Sequence, residues 1–139
     1  MKLVEYADRD MLAIDLANVL AGDLKNSLLT HDTVSFAVPG GTTPGPVFDA
    51  LCGVGLDWER VHVLPTDERW VSEGDARSNA RLIRARLLTD RAASARFLPL
   101  WRAGAPEDAL DDIGATVAPE LPISVLLLGM GADMHTASL

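Results

Sequence analysis

The sequence predicts an α/β protein with a mostly parallel, doubly wound sheet and helices on both faces, a three-layer αβα arrangement. Three observations carry that prediction. Short runs over residues 33–38, 61–64 and 123–128 read as strands without a consistently polar face, as expected for parallel strands covered on both sides. Helical stretches lie between them, as crossovers in a parallel sheet require. Each run stops at proline or glycine, in Pro39-Gly40-Gly41, at Pro65 and in Gly129-Met130-Gly131.

Taken in order, Leu12, Leu16, Leu20, Leu24 and Leu28 recur every four residues, with Val19 beside them. This spacing predicts an amphipathic helix over 11–29, and Asp8 or Asp10 is placed to cap its start. Residues 33–38 are β-rich and form the first strand. Pro44 suits the first turn of a helix that runs to about Cys52 and stops at Gly53. Residues 61–64 form the second strand. A helix is predicted over 78–88 with Ser78 or Asn79 near its cap, and another from Pro106 to a point before Pro119. Residues 123–128, nearly all apolar, form the third strand.

The 139 residues suit one domain. An apolar content of 48% supplies a core and is too high for a disordered chain. A net charge of −8 argues against a general nucleic-acid binder, which needs a basic face to displace counterions. The single cysteine, Cys52, forms no internal disulfide. Acids occupy the N-terminus where a signal peptide would be apolar, and no apolar run nears the ~18 residues of a membrane span. The expectation is a soluble, cytoplasmic protein without nucleic-acid or membrane partners. Seven arginines fall within residues 77–102, with Asp90 the one acid among them. Either they form a solvated helix and polar loop, or they form a cationic patch for an anion.

Ligands of open α/β sheets bind at the carboxyl ends of the strands, so the three turns there are where chemistry is sought. In the first, Gly40-Gly41-Thr42-Thr43, paired glycines admit a ligand to the backbone and two hydroxyls add donors, forming a phosphate cradle. A tight turn with Thr caps is the alternative. The Gly-Lys-Ser/Thr ending of a Walker loop is absent. The second, Asp67-Glu68-Arg69, is either a surface ion pair or a carboxylate beside an anion clamp, with Arg77 facing the same site. In the third, Gly129-Met130-Gly131 leads to Asp133-Met134-His135. A histidine near an acid at a strand's carboxyl end suits a general base. No fixed metal-ligand spacing occurs, Ser138 sits in no nucleophile elbow, and Cys52 falls in a predicted helix.

Together, Gly40-Gly41-Thr42-Thr43-Pro44, Asp67-Glu68-Arg69-Trp70-Val71 with Ser78-Asn79, and the run from Leu128 through Gly129-Met130-Gly131-Ala132-Asp133-Met134-His135 to Leu139 resemble the 6-phosphogluconolactonases. These belong to the glucosamine-6-phosphate isomerase/6-phosphogluconolactonase family, and the resemblance covers the whole chain. It implies a Rossmann-like fold and hydrolysis of 6-phospho-D-glucono-1,5-lactone in the oxidative pentose phosphate pathway. In that reading His135 is the base, Asp133 supports it, and Arg69 stabilises charge or grips the substrate. Asp67 binds a hydroxyl or assists proton transfer. Gly40, Gly41, Thr42, Thr43, Gly131 and Arg77 hold the sugar phosphate. No metal and no organic cofactor is implied.

Two alternatives accompany that reading, a glucosamine-6-phosphate deaminase/isomerase-like enzyme and a non-catalytic sugar-phosphate-binding module. Arg69 after Asp67-Glu68, and Thr136-Ala137-Ser138-Leu139 after the histidine, favour the lactonase. Two departures from the family pattern stand out. Met134 replaces a glycine that allows positive φ or close substrate approach, which predicts reduced activity. The family's motif also continues past Leu139, so residues 1–139 are expected to be a single domain, incomplete at the C-terminus.

Overall fold

The computed structural model describes residues 9–41 and 44–127. Its order is α1 (Arg9–Leu28), β1 (Val34–Val38), α2 (Gly45–Leu51), β2 (Val61–Pro65), α3 (Asn79–Arg86), β3 (Arg96–Phe97), α4 (Pro106–Val117) and β4 (Val125–Leu126). Among the described residues, four strands form one sheet in the order β3-β2-β1-β4, with parallel pairings throughout. The central register sets Val34 against Val61 and Val38 against Pro65. The α/β class and the parallel sheet are therefore as the sequence predicts.

Side chains alternate across the sheet, so each central strand feeds two cores. Val34, Phe36, Val38, Val61 and Val63 meet α1, α2 and α3 in the larger core, together with Trp58. On the opposite face Ala37, Leu64 and Leu98 pack with Val117 at the end of α4 and with Ile123. The same face carries a polar seam at the amino ends of the strands. Ser35 Oγ donates to the Glu120 carbonyl at 2.9 Å, and His62 Nδ1 lies 3.0 Å from both Glu120 carboxylate oxygens.

The stripe that buries α1 differs from the expected one. Ala13, Ala17, Leu20, Ala21, Leu24 and Leu28 are buried, whereas Val19 is 58% exposed and Leu12 and Leu16 are half-buried. A spacing of four overshoots a 3.6-residue turn by about 40° each time, so five leucines cannot all face one core. Alanines fill the near end of the stripe. Asp10 lies inside the helix and is no cap, because the helix begins at Arg9; Asp8 falls outside the described residues.

Two further differences concern strands. β3 was not expected, because two residues inside an arginine-rich stretch carry no apolar pattern; the ladder is continued by Leu98 N–H donating to the Val63 carbonyl at 2.8 Å. Among the described residues, the strand expected over 123–128 is laddered at Val125 and Leu126, with Leu127 N–H donating to the Ala37 carbonyl at 2.9 Å; Leu128 lies outside them. Ahead of Val125, side chains replace the ladder. Ser35 N–H donates to Ser124 Oγ at 3.2 Å and Ser124 N–H donates to Ser35 Oγ at 2.9 Å.

The arginine stretch does not form one cationic patch. Arg77 pairs with Asp75, Arg84 with Glu73, Arg86 with Asp49 and Arg102 with Asp112. The Arg86–Asp49 pair ties α3 to α2 through two hydrogen bonds of 3.0 and 2.7 Å. The Arg86 hydrogen bond holds the Asp49 carboxyl below its ordinary range. A carboxyl lowered on folding contributes stability above its unfolded value near 3.9, and loses it as pH falls toward the lower native value. Asp49→Asn should therefore cost about 0.5 kcal/mol at neutral pH, the scale of an exposed pair. Thermal melts should show that difference vanishing in strong acid.

Candidate active site

The carboxyl ends of β1 and β2 lie side by side, joined by Thr66 N–H donating to the Val38 carbonyl at 2.9 Å. Pro39-Gly40-Gly41 therefore faces Asp67-Glu68-Arg69 directly. Gly41 has φ +85°, is exposed, and has open space where a side chain would be. Only glycine takes that backbone freely, and the opening leaves its amide approachable. Gly40 has the opposite surroundings, since a Cβ there would fall inside the side chain of Asn79.

Asn79 is the joint of the site. It is 6% exposed, and its Nδ2 donates to both the carbonyl and Oδ1 of Asp67 at 3.2 Å. It thus fills the gap between the glycine turn and the Asp67 loop and orients the Asp67 carboxylate, which is itself exposed. Gly40→Ala should push Asn79 off Asp67 and destabilise the fold by roughly 1–3 kcal/mol, the cost of overpacking. A denaturant titration measures this, and Asn79→Gly in the same chain should recover part of the loss.

Glu68 caps α3. Its Oε1 accepts from Asn79 N–H at 2.7 Å and its Oε2 from Ala80 N–H at 2.8 Å, placing a negative charge at the positive end of the helix. The same Oε1 accepts from Arg69 N–H at 2.9 Å. Ser78 completes the cap by accepting from Arg81 N–H at 3.2 Å. The sequence leaves this turn as either a surface ion pair or a carboxylate beside an anion clamp. Among the described residues, none of Asp67, Glu68 and Arg69 is in an ion pair, and Glu68 is a structural anchor. The sequence signal for that role is faint, because Glu68 precedes the helix by eleven residues rather than by the few of a local capping box.

Arg69 is exposed, and its Nη1 donates to the carbonyl of Arg77 at 3.0 Å. The guanidinium is thereby steered, and among the described residues no carboxylate pairs with it. Arg77, expected to face the site as well, has its guanidinium on Asp75 at 3.1–3.2 Å. Hydrogen bonds from Arg77 hold the Asp75 carboxyl below its ordinary range, and the same contact raises Arg77. The Arg77 guanidinium is therefore engaged by Asp75.

Cys52 ends α2 with a buried thiol, and burial, followed by the charges of Asp90 and Asp49, pushes that thiol up. A thiol held protonated makes a poor nucleophile; the expected helix ends one residue earlier, with Cys52 as its C-cap. No three His, Cys, Asp or Glu residues cluster to hold a metal among the described residues, and no helix among them is long and apolar enough to cross a membrane. Thr42, Thr43, Gly131, Asp133, Met134 and His135 lie outside the described residues. A recess of about 350 Å³ between α1 and β4, lined by Leu20, Asp23, Asn26 and Ser124, lies toward the amino ends of the strands, away from these turns.

Comparison with known proteins is specific. Residues 7–139 match the family model described as glucosamine-6-phosphate isomerases/6-phosphogluconolactonase. The chain is 41% identical over 140 residues to a 6-phosphogluconolactonase of Caulobacter vibrioides, covering 100% of this chain and 60% of that protein. It is 43% identical over 135 residues to one of Rhizobium meliloti, covering 96% and 58%. A crystal structure of a 6-phosphogluconolactonase from Shewanella baltica superposes with a TM-score of 0.87 at 33% identity, over 96% of this chain and 58% of that one. The chain belongs to the glucosamine-6-phosphate isomerase/6-phosphogluconolactonase family. It spans about 60% of the length of the curated relatives it matches.

Proposed function

We propose that this protein hydrolyses 6-phospho-D-glucono-1,5-lactone to 6-phosphogluconate, a step of the oxidative pentose phosphate pathway. The observation that carries the reading is the 41% identity to a curated 6-phosphogluconolactonase across the entire chain. The carboxyl-edge geometry supports it, with an open glycine turn facing an oriented carboxylate and a steered guanidinium.

In this mechanism His135 takes a proton from water as the water oxygen attacks the lactone carbonyl, and returns one to the ring oxygen as the C–O bond breaks. Asp133 supports the histidine. Arg69 stabilises the negative charge that develops on the carbonyl oxygen. Gly40, Gly41, Thr42, Thr43 and Gly131 hold the phosphate or sugar hydroxyls through amides and side-chain hydroxyls, with Arg77 at the rim. Asp67, oriented by Asn79, accepts from a substrate hydroxyl. An activated ester needs only a base and charge stabilisation, so the step uses no metal and no organic cofactor. The partner is the small sugar phosphate, and a cytoplasmic site fits a chain whose one cysteine is free and buried.

Acid release at constant pH, above the spontaneous opening of the lactone, tests the reading. Turnover supports it. Binding of 6-phosphogluconate without turnover would select a binding module, and ammonia release from glucosamine 6-phosphate would select a deaminase.

A further inference from the structure

The loop that bears Arg69 is held by a second loop, and that second loop is held by the last residue of the arginine stretch. Trp70, next to Arg69, donates from Nε1 to the carbonyl of Gly104 at 2.7 Å. Its ring lies 6.4 Å from that of Trp101 at a tilt of 54°, within the range of favourable aromatic pairs. Gly104 takes φ +104°, a backbone that turns its carbonyl toward Trp70 and that other residues rarely adopt.

Arg102 organises the same loop from inside. Its Nη1 donates to the carbonyls of Pro99 and Trp101 at 2.6 and 3.1 Å. Its Nε donates to Asp112 Oδ2 at 2.6 Å and its Nη2 to Thr116 Oγ1 at 3.0 Å, both on α4. One guanidinium thus fastens the loop to two successive turns of a helix, a use of its planar fork that lysine cannot copy. The Arg102 side chain is 24% exposed, so its donors serve the protein rather than a ligand.

The geometry points to Arg102 and Trp70 as positioning residues for Arg69, a chain of contacts running from α4 through the 99–104 loop to the guanidinium at the sheet's carboxyl edge. The inference rests on the proposed lactonase reading for its kinetic consequence, and not for its structural one. Arg102 touches no substrate; it acts by limiting where the Arg69 loop can sit, and misplacement on the order of 1 Å at such a site costs up to about 10²-fold.

The experiment combines hydrogen exchange with kinetics on the intact protein and its Arg102→Ala, Arg102→Lys and Trp70→Phe variants. Exchange over residues 66–78 should accelerate several-fold in Arg102→Ala while α1 stays protected. The value of kcat should fall about tenfold with KM little changed, since the interaction lost is one made in the transition state. Arg102→Lys should recover only part. Trp70→Phe, which keeps a smaller aromatic ring and loses the hydrogen bond to Gly104, should lower kcat roughly fivefold and serves if Arg102→Ala fails to fold. Unaltered exchange over 66–78, or variants that lower the yield of folded protein while its kcat and KM stay at parent values, would overturn the inference. If the parent protein opens no lactone, the functional reading fails and the exchange arm alone decides the clasp.

Discussion

His135→Ala should lower kcat for lactone hydrolysis by roughly 10²–10⁴, the contribution of a positioned general base. The value of KM should change little, because water activation belongs to the transition state rather than to substrate binding. Steady-state kinetics of the two proteins check both statements. A variant retaining the parent rate would remove His135 from the mechanism.

Glu68→Ala is expected to have the largest effect on stability, about 3 kcal/mol. The carboxylate accepts from three backbone N–H groups, those of Arg69, Asn79 and Ala80. Hydrogen bonds to a charged group contribute about 1.5–3 kcal/mol each, and partial exposure of this loop keeps the sum well below three times that. Activity should fall too, because Glu68 fixes the two residues on either side of the opening: Arg69 through its amide, and Asn79, which in turn holds Asp67. Chemical denaturation reads the first effect and kcat/KM the second. Glu68→Gln retains one acceptor oxygen and should be intermediate in both. A Glu68→Ala protein as stable as its parent would mean that water satisfies the helix terminus equally well.

Strand ends and most helix ends were legible because glycine and proline punctuate them. Pro39-Gly40-Gly41 and Pro65 close β1 and β2, and Pro106 opens α4. These are local effects of backbone freedom and a missing donor, which a linear reading captures. What escaped depends on residues far apart in sequence. β3 is two residues held in place by β2; Glu68 caps a helix that begins eleven positions later; and three of the seven arginines of 77–102, Arg84, Arg86 and Arg102, find Glu73, Asp49 and Asp112. Ala13, Ala17 and Ala21 face the core, which periodicity of the leucines alone does not reveal. Of the site, the glycine turn and Arg69 were read from the sequence. Asn79, the residue that joins the turns, was legible only as a helix-cap candidate and as part of the family motif, because its role depends on Gly40 lying against it.

The central claim is that the sugar phosphate binds where the strands end. Hydrogen exchange of the protein with and without saturating 6-phosphogluconate tests it most directly. Protection is predicted over residues 39–44, 66–79 and 129–135, with the recess between α1 and β4 unchanged. Protection confined to that recess, with the three turns unaffected, would contradict the account.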